Sequence, residues 1–293
     1  MRLVSFLAGN RPGFGVLDGD RIVDLGAAGD RYRERGLAAP TSMLELLRLG
    51  PEGLDVATAT VADGPVRTLG DVVLRAPIPH PDQIVAIGRN YVRPGRDRSD
   101  APGSPRIFPK WSSTVIGPGE AIVRPAATRK LDWEVELAVV IGRTARRVAR
   151  KDALAYVAGY TIINDVSARD IQNQQPEQLA MAKNFRTFTP MGAAIVTADE
   201  VPDPGALDIR CWVNGELMQD SNTRHLIFDV PELVSRLSHV LDLHPGDLIS
   251  TGTPPGTGNG RTPPRYLGPG DVVRMQLGDL VELVNPVVDE AVA

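Results

Sequence analysis

The segment Asp132-Trp133-Glu134-Val135-Glu136-Leu137 constrains this chain more than any other. It alternates acid with apolar residues and then runs on as Ala138-Val139-Val140-Ile141. A strand turns successive side chains to opposite faces, so Asp132, Glu134 and Glu136 share one face and Trp133, Val135 and Leu137 the other. The continuation is apolar on both faces, the pattern of a strand that enters a core. Carboxylates crowded on one face repel, and strands disfavour Asp and Glu. Two options remain. A hard divalent cation at the mouth of a buried strand offsets the charge, or the acids lie on a solvated edge strand.

A second acid favours the cation. Asn164-Asp165 ends the strand expected over Tyr160–Asp165, and Val-Ser-Ala-Arg-Asp follows. If that following segment is helical, Asp165, Arg169 and Gln172 fall on one face at i, i+4 and i+7. The alternative is a surface ion pair worth about a few tenths of a kcal/mol. The 32 basic residues comprise 28 arginines and only 4 lysines, so Lys110 and Lys183 stand out. A lysine beside carboxylates and a dication suits a substrate carboxylate or an enolate oxygen. The loop Ser250-Thr251-Gly252-Thr253-Pro254-Pro255-Gly256 follows a strand and offers amides and hydroxyls to an anion. It lacks the Lys-Ser/Thr ending of a phosphate-binding loop.

The 293 residues suit one large domain or two modest ones. Residues 1–77 read as a small α+β domain: a strand over Arg2–Leu7, a hairpin around Asp18-Gly19, and a helix over Thr41–Leu49 capped by Thr41. From residue 78 to 293 the text is β-rich. Strands are expected over Ile84–Ile87, Glu134–Ile141, Leu248–Ser250, Val272–Leu277 and Val281–Val284. A hairpin surrounds Asn214-Gly215, and helices are expected over Asp152–Val157 and Val230–Leu241. Arg93–Pro109 reads as a long polar loop. Its arginines could close over a dianion, or the loop is simply solvated. A net charge of −4 argues against a nucleic-acid or anionic-membrane partner. One cysteine, Cys211, forms no internal disulfide, which fits a reducing compartment. With no long apolar run, the expected location is cytoplasmic.

Several segments in order resemble the fumarylacetoacetate hydrolase family. They are Ile87-Gly88-Arg89-Asn90-Tyr91, Phe108-Pro109-Lys110, residues 117–122, 132–142 and 158–170, Lys183, residues 213–216, 221–223, 243–258 and 267–273. The resemblance spans about Ile84 to Val288. It implies a β-rich mixed catalytic domain of β-roll type behind a variable N-terminal domain, and a homodimer. It implies that Glu134, Glu136 and Asp165 bind Mg²⁺ or Mn²⁺, with Ca²⁺ a further candidate, and that Asp132 stands behind them. Arg169, Gln172 and Lys183, with Tyr91 and Gly252, would bind a 2-oxo acid. Lys183, Arg169 and Thr253 would take part in its chemistry.

One departure bears on the reaction. Many members carry a His and a Glu after Asn-Tyr that activate water. Here Pro94 stands in the His position and Asp97 in the Glu position. His225 is a candidate replacement base; otherwise it is a surface or interface histidine. The leading expectation is a metal-dependent C–C hydrolase of the acylpyruvate or fumarylacetoacetate type. A tautomerase, isomerase or decarboxylase working through an enolate is the alternative, since it needs no positioned water. A binding protein that keeps the metal site is the third reading.

Overall fold

A computed structural model describes residues 1–92, 95 and 102–291. Pro94, Asp97 and the arginines at 93, 96 and 98 lie outside the described residues. The architecture is α+β and dominated by strands. The larger mixed sheet has eleven strands, and a second sheet has five.

At the centre of the large sheet, Val135–Ile141 lies antiparallel to Val157–Asn164 on one side and Leu248–Ser250 on the other. Both long strands are buried along their whole length. Their near-continuous Val and Ile content is what a strand covered on both faces requires. Trp133, Val135, Leu137 and Val139 pack towards the second sheet, among Cys211, Val213, Met275 and Leu283. Ala138 and Val140 point the other way, into a core with Leu46, Leu47, Val56 and Tyr32 from three helices. Each fully buried Leu, Ile or Val contributes roughly 1.5–3 kcal/mol, so these two layers fix the central strand from both faces.

The sheet continues through the N-terminal residues. Arg2–Ala8 pairs with Arg11–Asp18 along its length and with Ile195–Thr197 through Arg2–Val196 and Leu3–Ile195. On the opposite side the sheet ends at Ile84–Gly88, paired with the edge strand Arg106–Lys110.

The expected elements are largely present, with corrections at their ends. The first helix runs Met43–Arg48, and Ser42 rather than Thr41 caps it by accepting from the Glu45 amide at 3.2 Å. Thr41 instead donates to the Glu45 carboxylate. Helices Gly29–Glu34 and Gly50–Thr60 were not foreseen. The second begins Gly-Pro-Glu-Gly, which reads as a turn, yet Pro at the first helical turn costs nothing there. Val230–Ser238 is capped by Asp229, and it stops before Val240, which is 80% exposed. The segment Arg150–Tyr156 is a 3₁₀ turn instead of an α-helix.

Candidate active site

The acid-rich strand is interrupted where it matters. Regular pairing covers Leu131–Asp132 and resumes at Val135. The break frees the Trp133-Glu134 backbone, and Asn164 Oδ1 accepts the Glu134 amide at 3.0 Å. Glu134 and Glu136 both reach one cavity of about 600 Å³. Asp132 turns elsewhere. One of its oxygens accepts from the Trp133 and Gly258 amides, and the other from Arg169 Nε at 2.7 Å and the Asn259 amide. It holds Arg169 in place and does not join the other acids.

One oxygen from each of Glu134, Glu136 and Asp165 lies within 4.8 Å of the others, and all three residues are buried. Asp165 is clamped by two ammoniums: Lys110 Nζ at 2.7 Å on Oδ1 and Lys183 Nζ at 2.5 Å on Oδ2. Lys183 Nζ also donates to Glu134 Oε2 at 2.8 Å and Ser167 Oγ at 2.8 Å. Arg169 pairs with Glu134 Oε1 and donates to Gln172 Oε1 at 2.8 Å. Glu136 Oε2 accepts from Ser250 Oγ at 2.5 Å and the Gly252 amide at 2.9 Å. Its Oε1 has no hydrogen-bond partner among the described residues.

Four carboxylates thus face three cations, leaving Glu136 without a cationic partner in the buried cluster. Burial, then Asp165 and Glu134, push Glu136 up to about 8. Burial alone would also raise Asp165, but Lys110 and Lys183 outweigh it and hold that carboxyl below its usual range. Burial opposes the Lys183 charge as well, yet Asp165 and Glu134 win and its pKa is raised. Burial dominates at Lys110, which is lowered. An all-oxygen set of three buried carboxylates, one of them without a cationic partner, fits a hard divalent cation. Glu134, Glu136 and Asp165 are the residues that would hold it.

This arrangement makes metal binding pH-dependent with a definite sign. Below pH 8 Glu136 carries a proton that a cation must displace. Mn²⁺ affinity is therefore expected to rise by about tenfold per pH unit up to roughly 8 and then level off, with about one proton released. Calorimetric titrations between pH 6 and 9, in two buffers of different ionisation enthalpy, check this. An affinity flat across that range would show that no ligand gives up a proton there, against a raised Glu136.

The cavity wall gathers most of the residues singled out in the sequence: Tyr91, Glu134, Glu136, Arg169, Gln172, Lys183 and Thr253. Arg169 and Gln172 sit on a single helical turn, Arg169–Gln172, which Asp165 precedes in extended chain. Arg169 and Gln172 share that turn and a hydrogen bond, whereas Asp165 lies outside it, so the three residues do not fall on one helix face as expected. Gly252 is not on the wall. Its φ of +100° and the nearness of Asn90 Cβ, 2.8 Å from where a Cβ would sit, leave room only for glycine, whose amide serves Glu136. The Thr253 hydroxyl donates to the Val135 carbonyl at 2.9 Å and accepts from Gln219 Nε2 at 2.8 Å. The Tyr91 hydroxyl is buried and has no partner among the described residues. His225 is exposed and off the wall, and its backbone carbonyl accepts from Val92. The role of Gln219, which also accepts the Val135 amide at 3.1 Å, had no sequence signal.

Comparison with known proteins agrees with this geometry. Residues 83–288 match the family model described as fumarylacetoacetate (FAA) hydrolase C-terminal. The chain is 41% identical to a mitochondrial oxaloacetate tautomerase of Bos taurus, over 98% of this chain and 92% of the relative. It superposes on maleylpyruvate hydrolase from Sphingobium sp. SYK-6, solved with manganese(II) and pyruvate. The TM-score is 0.80 at 34% identity, covering 99% of this chain and 100% of that one. A 5-carboxymethyl-2-hydroxymuconate delta-isomerase from Mycobacterium smegmatis gives a TM-score of 0.79 at 33% identity, covering 99% and 100%. A family model matched over residues 83–288, relatives about 40% identical along nearly the whole chain and a shared architecture lead to one conclusion: this chain belongs to the fumarylacetoacetate hydrolase family.

Proposed function

We propose that the protein is a divalent-metal-dependent enzyme that interconverts the keto and enol forms of a short 2-oxo acid of the oxaloacetate type. One observation carries this reading. The cavity wall holds Glu134, Glu136, Arg169 and Lys183, with Asp165 buried behind them, and among the described residues none of the chain's 4 histidines. Tautomerisation moves one proton from carbon and one to oxygen and consumes no water, whereas C–C hydrolysis needs a water with its base.

When bound, the cation supplies Lewis acidity towards the oxygens of the 2-oxo acid. The chain supplies the rest. Arg169, fixed by Asp132 and Glu134, keeps a permanent positive charge at the wall. In the keto-to-enol direction a proton leaves C3 for the solvent while Lys183 Nζ, held beside the acids, gives one to the 2-oxo oxygen and is reprotonated from the solvent; in the enol-to-keto direction both transfers run in reverse. The Phe108 ring, 5.2 Å from Lys183 Nζ, shields that ammonium from water. The Gln219–Thr253–Val135 bonds keep the facing loop rigid.

Hydrolysis of an acylpyruvate is the second reading, favoured by the similarity to maleylpyruvate hydrolase. The experiment is a stopped-flow ultraviolet assay of enol oxaloacetate with Mn²⁺, followed by mass spectrometry and run alongside acylpyruvates. Faster decay of the enol band at unchanged mass is the expected result. Products that gain one water would overturn tautomerisation in favour of hydrolysis, and release of CO₂ would make the enzyme a decarboxylase.

A further inference from the structure

The edge strand Arg106–Lys110 runs up one wall of the cavity. Its alternate residues share a face and are spaced about 7 Å apart. Lys110 lies behind the wall, fully buried and bonded to Asp165 and to the Lys183 carbonyl. Phe108 comes next, beneath Lys183. Arg106 stands at the mouth and lines the same cavity. The outward residue Ile107 faces away from the cavity and is exposed. A substrate with its 2-oxo acid end at the carboxylate cluster therefore runs past an apolar ring towards a guanidinium.

That guanidinium already holds a carboxylate. Arg106 Nη2 pairs with Glu177 Oε2 across the mouth. Glu177 lies in the turn over residues 173–178, directly after Gln172 and Asn173 on the wall. Burial opposes its charge, but the Arg106 guanidinium, with Gln172 and Arg89 acting in the same direction, outweighs that and holds the carboxyl below its usual range. The two side chains are 33% and 34% exposed. An ion pair this wet contributes only about 0–1 kcal/mol. Exchanging one carboxylate for another on Arg106 therefore costs little, and a guanidinium takes carboxylates in a two-bond geometry.

Resting on the 2-oxo acid reading above, we propose that Glu177 is an internal stand-in for substrate. The distal carboxylate of a 2-oxo dicarboxylic acid replaces Glu177 on Arg106, and Arg106 thereby selects dicarboxylates over 2-oxo monocarboxylates.

The test is equilibrium binding to the full-length Mg²⁺-loaded protein, read by calorimetry. The probes are 2-oxoglutarate and 2-oxopentanoate, which differ only in the distal carboxylate. Wild type is expected to prefer the diacid. Arg106→Gln should lose roughly tenfold or more of the diacid affinity, the size of one charge-assisted contact, and change monoacid affinity by less than about twofold. Glu177→Gln, which removes the internal competitor, should tighten the diacid and leave the monoacid unchanged. Equal losses of both acids in Arg106→Gln, or unchanged diacid affinity in Glu177→Gln, would overturn this inference alone. Failure of wild type to bind either acid would overturn the 2-oxo acid reading and this inference with it.

Discussion

Exchanging Asp165 for asparagine is expected to weaken Mn²⁺ binding by roughly a hundredfold or more, because an anionic ligand becomes a neutral one. It should also destabilise the metal-free chain. Asp165 is the shared counter-ion of Lys110 and Lys183, and both contacts are buried. An amide oxygen can accept from one ammonium, but its NH₂ then faces the other. Removing one member of a buried ion pair costs about 3–5 kcal/mol. Lys110 bears most of it, since its side chain is fully buried and its remaining bond goes to a backbone carbonyl. Glu134→Gln provides the contrast. It should also weaken the metal, yet it leaves the Lys110–Asp165–Lys183 clamp intact, so its melting temperature should fall less. Calorimetric Mn²⁺ titration and thermal melts in chelator separate the two effects. Unchanged affinity in Asp165→Asn would strike it from the ligand set.

Lys183→Met is expected to split catalysis from metal binding. Turnover should fall on the order of a thousandfold, the scale of a lost positioned proton donor. Mn²⁺ affinity should hold or rise, because the ammonium that competes for Glu134 Oε2 and Asp165 Oδ2 is gone. Methionine keeps the length and apolar stem of lysine. Stopped-flow rates beside Mn²⁺ titrations provide both readouts. Retained turnover would deny Lys183 its proton role, and a joint collapse of turnover and affinity would make it a scaffold of the acid cluster.

Much of this was legible because alternation is a local property. The acid–apolar alternation of residues 132–137 put Glu134 and Glu136 together, and the apolar continuation placed them at the mouth of a core. The same rule misplaced Asp132, because the strand breaks at Trp133-Glu134, where the Glu134 amide donates to Asn164 Oδ1, a contact 30 residues away. Lys110 drew notice through the scarcity of lysine, but its bond to Asp165 spans 55 residues and depends on which strands close the sheet. Gln219 and the Arg106–Glu177 pair were silent for the same reason. Their partners lie 84 and 71 residues away, and no periodicity encodes a long-range register. The short helices after Ala28 and Leu49 were missed because packing against the sheet, not propensity, holds them.

The pairing of Arg2 and Leu3 with Val196 and Ile195 has a consequence for the newborn chain. A ribosome adds about 5–20 residues per second, so this edge of the first strand waits on the order of ten to forty seconds for its partner to be made. During that wait only the neighbouring hairpin and Val73–Arg75 can cover the strand. Its open side presents free amides and carbonyls to any extended peptide nearby. Slow translation, or a stall before residue 195, should therefore leave nascent chains that cling to holdase chaperones or to one another, although the finished molecule buries that edge.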